Sequence, residues 1–197
     1  MAAPYVDETR TAAPGAPVAT LLPGRAYGPQ APLLHYTRFL LRHRGFAVRT
    51  VRWERVPDLD PTDPAGIAAV AGAVLVDADP ARDVVVGKSL GSLALPVAAE
   101  RGLRSVWFTP LLAVEAVRRA AAKAGDSALL IGGTSDPYWD GAAAAATGAA
   151  VFEVPGVDHS LERPGDLDGT LAALAAVLSR VAAHLDAVSA PGRPASS

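Results

Sequence analysis

Short apolar runs alternate with longer amphipathic stretches along most of the chain. Val18 to Leu22, Val84 to Val86 and Ala128 to Ile131 are unbroken apolar runs of strand length, each followed by a glycine-bearing turn. Strands covered on both faces require this kind of run, without polar alternation. Phe46 to Trp53 and Ser105 to Phe108 add β-branched and aromatic residues, and Ala149 to Val154 leads into Pro155-Gly156. Segments of helical length lie between them: Ala31 to Arg44, Pro64 to Asp77, Leu90 to Arg101, Leu111 to Ala124, Pro137 to Thr147 and Leu167 to Val188. A parallel neighbour needs a crossover of about a dozen residues, usually helical. The alternation therefore predicts an α/β fold, a doubly wound and mostly parallel sheet of about six strands with helices on both faces.

One domain over residues 17–189 accounts for the whole pattern. Residues 1–16 read as an N-terminal arm with weak strand potential at Tyr5 to Glu8, and residues 190–197 read as a disordered tail on composition. Between Phe108 and the apolar pattern starting at Leu111 stand only Thr109 and Pro110, which leaves no room for an inserted cap domain. Should another segment form a lid, the loop Leu59 to Pro64 is the first suspect.

Composition narrows the classes of function. Half of the residues are hydrophobic and 19% are charged, the balance of a packed globular chain. A net charge of -2 with scattered arginines gives no electrostatic footprint for nucleic acid. The absence of cysteine excludes disulfides, thiolate chemistry and cysteine metal sites, and it is compatible with a reducing cytoplasm, the expected location. Met1 to Ala19 holds no apolar core of signal-peptide length, and the apolar stretches fall short of the ~20 residues a membrane span needs. No H-E-x-x-H or carboxylate-histidine cluster points to a metal, and no strand is followed by G-x-G-x-x-G, so neither metal nor cofactor is expected.

The candidate chemistry lies at the strand ends. Gly87-Lys88-Ser89-Leu90-Gly91 stands between the Val84 to Val86 strand and the following helix, the context of a G-x-S-x-G nucleophile elbow. There a serine hydroxyl is held above the sheet by a strained turn, with glycines where neighbouring chain comes close. A helix cap would read similarly. A phosphate-binding loop fails, since Arg82 occupies the position of its first glycine. A hydrolytic serine needs an acid and then a histidine after later strands. Asp136 follows the Ala128 to Ile131 strand, and His159 follows the Ala149 to Val154 strand. Ligands bind beyond the carboxyl ends of strands in open α/β sheets, so these turns are expected on the same rim as Ser89. Ser89 is thus the candidate nucleophile, His159 the base and Asp136 the acid that orients it.

Oxyanion donors are expected from the Leu90 N-H and from the turn Pro23-Gly24-Arg25-Ala26, with the Arg25 N-H ahead of Ala26. Tyr27, Tyr138 and Trp139 adjoin these turns and are candidates to line the substrate site, although packing would explain each of them equally well. Lys88 reads as support that bonds to nearby carbonyls, because adjacent side chains on a sharp elbow diverge.

The elbow Gly87 to Gly91, Asp136 after one late strand, His159 after the next and the Pro23-Gly24 turn together resemble the α/β-hydrolase superfamily. The likeness covers about Val18 to Val188 and is strongest to small, lidless bacterial hydrolases of the dienelactone-hydrolase-like kind. It implies a compact α/β-hydrolase fold without a cap domain. It also implies hydrolysis of a small-molecule ester or thioester through an acyl-enzyme at Ser89, with no cofactor. Pro23-Gly24 replaces the usual His-Gly, and the antiparallel strands common at the start of that fold are missing or reduced. The alternative is a non-catalytic hydrolase-like protein that binds a ligand or a protein partner.

Overall fold

The computed structural model describes residues 6–7, 15–53, 60 and 63–189. The most apolar runs form the middle of one sheet: β2 (Val18–Leu22), β4 (Val84–Lys88), β5 (Arg104–Phe108) and β6 (Ala128–Gly133). β3 (Ala47–Val51) and β7 (Ala150–Val154) flank them, and β1 (Val6–Asp7) pairs antiparallel with Thr50 and Val51. The sheet order is β1-β3-β2-β4-β5-β6-β7, and all pairs except β1 with β3 are parallel. The strand potential near Tyr5 to Glu8 is thus realised as two paired residues within the expected arm. The tail 190–197 and residues 59, 61 and 62 of the Leu59 to Pro64 loop lie outside the described residues.

Side-chain alternation along the central strands sends successive residues to opposite faces. Val84, Val86, Val106, Phe108, Leu129 and Ile131 meet one helical layer, formed by α1 (Pro32–His43) and α6 (Leu167–Ser189). Val85, Trp107 and Leu130 meet the other, formed by α2 (Pro64–Val74), α3 (Leu95–Glu100), α4 (Glu115–Ala124) and α5 (Gly141–Ala146). Among the described helices, only α6 is long and apolar enough to cross a membrane, with a mean hydropathy of 1.3 over its most apolar window. That was not expected from the sequence. Its Ala173, Val177, Val181 and Leu185, spaced by four, are buried in the core beneath the sheet.

Three helix starts differ from the sequence pattern. The segment expected from Leu90 becomes α-helical only at Leu95, after a 3-10 stretch. α4 begins at Glu115, so the crossover after β5 runs from Thr109 to Val114 rather than through Thr109-Pro110 alone. It remains far too short for a cap domain. α5 begins at Gly141, and Asp140 is its cap rather than an interior residue, accepting a 2.9 Å bond from the Ala143 N-H.

The chain runs from β2 to β3 in one direction and from β4 to β7 in the other. The carboxyl ends of β2 and β4 therefore border the point where the winding reverses, the place where an open α/β sheet leaves a crevice.

Candidate active site

At that point β4 ends in Lys88, and the chain turns through Ser89 at φ 48° into a short 3-10 segment, Ser89–Ala94, that continues as α3. A positive φ is uncommon for a side chain other than glycine, asparagine or aspartate. Close packing enforces the turn. A Cβ on Gly91 would run into the Leu22 carbonyl at the end of β2, and one on Gly87 would run into the Trp107 ring. The Ser92 hydroxyl fastens the turn from behind, donating to the Ser89 carbonyl at 2.6 Å and accepting from the Leu111 N-H at 3.0 Å.

Asp136 lies in the turn after β6, with its side chain almost fully buried. Its Oδ1 accepts a 2.8 Å bond from the Tyr138 N-H, which fixes the carboxylate and leaves Oδ2 free to face His159. The turn after β7 is tied to the same place: Ser135 donates its N-H to the Val157 carbonyl at 3.0 Å, and Gly156 donates to the Thr134 hydroxyl at 2.8 Å. Asp158 folds the residues beyond, its Oδ1 accepting from the Ser160 and Glu162 N-H groups at 2.8 and 3.1 Å.

These turns bring the three sequence candidates into one chain of hydrogen bonds. His159 Nδ1 is 2.8 Å from Asp136 Oδ2, and His159 Nε2 is 2.9 Å from Ser89 Oγ. A carboxylate only accepts, so Nδ1 carries the proton and the Nε2 lone pair accepts from the serine hydroxyl. His159 is 31% exposed and Asp136 only 1%, so the imidazole faces solvent while its orienting partner does not.

No family model matches the chain, and no curated protein matches it in sequence. Solved structures do. A lidless α/β serine hydrolase from Xanthomonas campestris superposes with a TM-score of 0.58 at 16% identity, over 96% of this chain and 89% of that one. The monoacylglycerol lipase of Paleococcus ferrophilus gives 0.64 at 14% identity, over 86% and 96%. Est1E from Butyrivibrio proteoclasticus gives 0.62 at 13% identity, over 92% and 93%. This is the α/β-hydrolase fold.

In the α/β-hydrolase fold the oxyanion is met by the N-H of the residue after the nucleophile and by one from the loop after the neighbouring strand. Leu90 is buried at the start of the 3-10 segment. The second loop is held against the elbow: the Trp53 indole donates to the Pro23 carbonyl at 2.8 Å, and Gly24 is so close that an added Cβ would lie 3.5 Å from Lys88 Cγ. Arg25 and Ala26 follow as exposed residues of the bend.

The three candidate aromatics have different surroundings. Tyr138, 66% exposed, sets its ring edge-on to the His159 imidazole at 5.2 Å. Trp139 lines the same side but turns its indole N-H to Glu153 Oε2 at 2.7 Å. Tyr27 sits on the opposite side, its hydroxyl accepting from the Leu33 N-H at 3.1 Å. Burial raises the Tyr27 phenol above its ordinary pKa; the Leu33 bond opposes this, and the charges of Glu162 and Asp158 add to it.

Two clefts adjoin the rim that carries Ser89, Asp136 and His159. One, of about 390 Å³, is bounded by Leu111, Leu112, Tyr138, Trp139 and Ala143. The other, of about 650 Å³, opens between α1, α6 and the loop that begins at Ser160.

Lys88, expected to support the elbow, does so with its charge buried. Its side chain passes beneath the rim, and Nζ donates to the Thr109 hydroxyl at 2.6 Å and to the His159 carbonyl at 2.7 Å. The ammonium also lies 5.2 Å from the centre of the Tyr27 ring. Burial pulls its pKa down to about 8, against the upward pull of the Asp136 and Asp158 charges. Thr109 and Ser92 were not among the sequence candidates. Both are small polar residues in apolar surroundings, and that was the only signal they offered.

Proposed function

We propose that the chain is a serine hydrolase that cleaves a carboxylic ester or thioester through an acyl-enzyme at Ser89. The observation that carries this reading is the unbroken path Asp136–His159–Ser89, ending on a serine at φ 48°. The neighbours in fold, which include a monoacylglycerol lipase and a serine hydrolase without a lid, support the same chemistry.

Ser89 Oγ adds to the acyl carbon while its proton passes to His159 Nε2. The oxyanion is met by the Leu90 N-H and by the Arg25 or Ala26 N-H, and Asp136 stabilises the imidazolium. The bond from the acyl carbon to the leaving oxygen or sulfur then breaks, and the leaving atom takes the proton from His159. Water repeats the sequence: it gives a proton to His159, its oxygen adds to the acyl carbon, and the Ser89 ester bond breaks as the proton returns to Oγ. Tyr138 holds one side of the imidazole while Nε2 remains open to substrate. The crossover Thr109 to Val114 is too short to carry a cap domain, which favours a short acyl group.

A fluorophosphonate probe tests the reading. It should label the native chain at Ser89, and Ser89→Ala should lose both the label and at least about 10³-fold of ester hydrolysis. Labelling that survives in Ser89→Ala would sink it.

A further inference from the structure

Three turns on the rim meet at one buried charge. Lys88, 1% exposed, sends Nζ to the Thr109 hydroxyl just past β5 and to the His159 carbonyl in the turn after β7. The turn after β2 reaches the same ammonium through Tyr27, whose ring centre lies 5.2 Å from Nζ. A cation within about 6 Å of an aromatic face is drawn to it, and more strongly where water is excluded.

Tyr27 is also fixed on its other sides. Its hydroxyl accepts from the Leu33 N-H in the first turn of α1 at 3.1 Å. Its own Cβ packs on Gly24, where an added Cβ would come within 3.2 Å of it and within 3.6 Å of the Lys88 carbonyl. Between Gly24 and Tyr27 stand Arg25 and Ala26, both exposed, whose N-H groups are the candidates for the second oxyanion donor. The Trp53 indole holds the near end of this segment at the Pro23 carbonyl, and Tyr27 holds the far end. The cleft that Tyr27 borders includes none of Ser89, Leu90 and His159, which sets the ring apart from the reacting atoms.

We infer that Tyr27 is a positioning residue: the attraction between its ring and the buried Lys88 ammonium keeps the loop with the second oxyanion donor in register with the His159 turn. The inference rests on the acyl-enzyme reading at Ser89. A displaced loop weakens a contact made in the transition state, so the effect falls on kcat and spares KM. It also depends on charge. Burial pulls the Lys88 pKa down to about 8, and the Asp136 and Asp158 carboxylates oppose this. The Tyr27 phenol, pushed up by burial, stays neutral over the same range, and His159 meets the lysine through its carbonyl. A neutral amine can still donate to Thr109 and His159, but it no longer draws the ring.

The electron density of the ring can be altered with little change of shape. Tyr27→Phe is compared with a chain that carries pentafluorophenylalanine at position 27, introduced by nonsense suppression, each in the native and the Lys88→Met background with p-nitrophenyl acetate. At pH 7 the fluorinated ring, whose face is no longer negative, should lower kcat by about three- to tenfold relative to Phe, with KM within about twofold. At pH 9.5, and in Lys88→Met at either pH, the two rings should give equal rates. Equal kcat at pH 7 overturns the inference, and so does a loss of the same size at both pH values or in both backgrounds. A change confined to KM overturns it as well, by making Tyr27 a substrate contact. Each of these outcomes leaves the fluorophosphonate label on Ser89 in place. Absence of ester hydrolysis, or hydrolysis that survives Ser89→Ala, overturns the reading at Ser89 and this inference with it.

Discussion

Lys88 donates a hydrogen bond from Nζ to the backbone carbonyl of His159 at 2.7 Å, so the residue before Ser89 grips the residue whose ring meets the Ser89 hydroxyl. Ser89 and His159 are thereby held through one side chain as well as through their own 2.9 Å contact. Lys88→Met keeps the length of the side chain and removes both of its bonds. In that variant kcat should fall by about tenfold or more with little change in KM, since a misplaced base weakens the transition state more than the substrate complex. An unchanged kcat would show that the His159 loop holds itself.

The same lysine makes stability depend on pH in a defined direction. Below about pH 8 its amine is protonated in both the folded and unfolded chains; from about 8 up to the ordinary lysine range only the unfolded chain keeps the proton. Stability from this group therefore rises with pH across that window. Denaturant unfolding of the native chain and Lys88→Met at pH 7 and pH 9.5 isolates it, because other groups cancel in the difference. The difference should move in favour of the native chain by about 2 kcal/mol. Movement in the opposite direction would contradict the buried cation.

Asp136→Asn separates orientation from folding. Asparagine can still accept from the Tyr138 N-H, so the turn after β6 should persist and thermal unfolding should change little. The imidazole would lose the partner that fixes its tautomer, and kcat should drop by about 10³- to 10⁴-fold. Retained activity would mean that Asp158 or another carboxylate serves His159.

The short crossover between β5 and α4 also implies indifference to a lipid surface. With only Thr109 to Val114 between β5 and α4, no segment there can open at an interface, and p-nitrophenyl acetate or butyrate turnover should be unchanged by added vesicles. A jump in rate on adding vesicles would show that another segment covers the site.

The three strand ends that carry Ser89, Asp136 and His159 are legible in the sequence because each couples an apolar run to a turn rich in glycine, and such turns can only face one rim of a parallel sheet. The helix starts are less so. Leu111 and Val114 continue the apolar spacing of α4, yet Leu111 lines the smaller cleft and Val114 is extended, because Thr109 at φ 41° sends the chain outward first. Asp140, not Pro137, starts α5, since it has a side-chain oxygen to offer the first turn. The burial of Lys88 cannot be read from local pattern at all. Its acceptors lie 21 and 71 residues away and meet it only once β5 and β7 are in register.

β7 is the last strand of the sheet and bonds only to β6, while most of its side chains are at least partly exposed. It is also the strand that leads into the turn carrying His159. Edge elements with few buried contacts open before the centre of a domain does, so under the proposed chemistry ester turnover becomes a reporter of fraying at one margin, independent of the state of the core. In a urea titration of a Trp53→Phe, Trp139→Phe background, catalysis should disappear at lower concentration than Trp107 fluorescence changes, because Trp107 is wholly buried on central β5. Coincident curves would mean that the margin and the centre melt as a single cooperative unit.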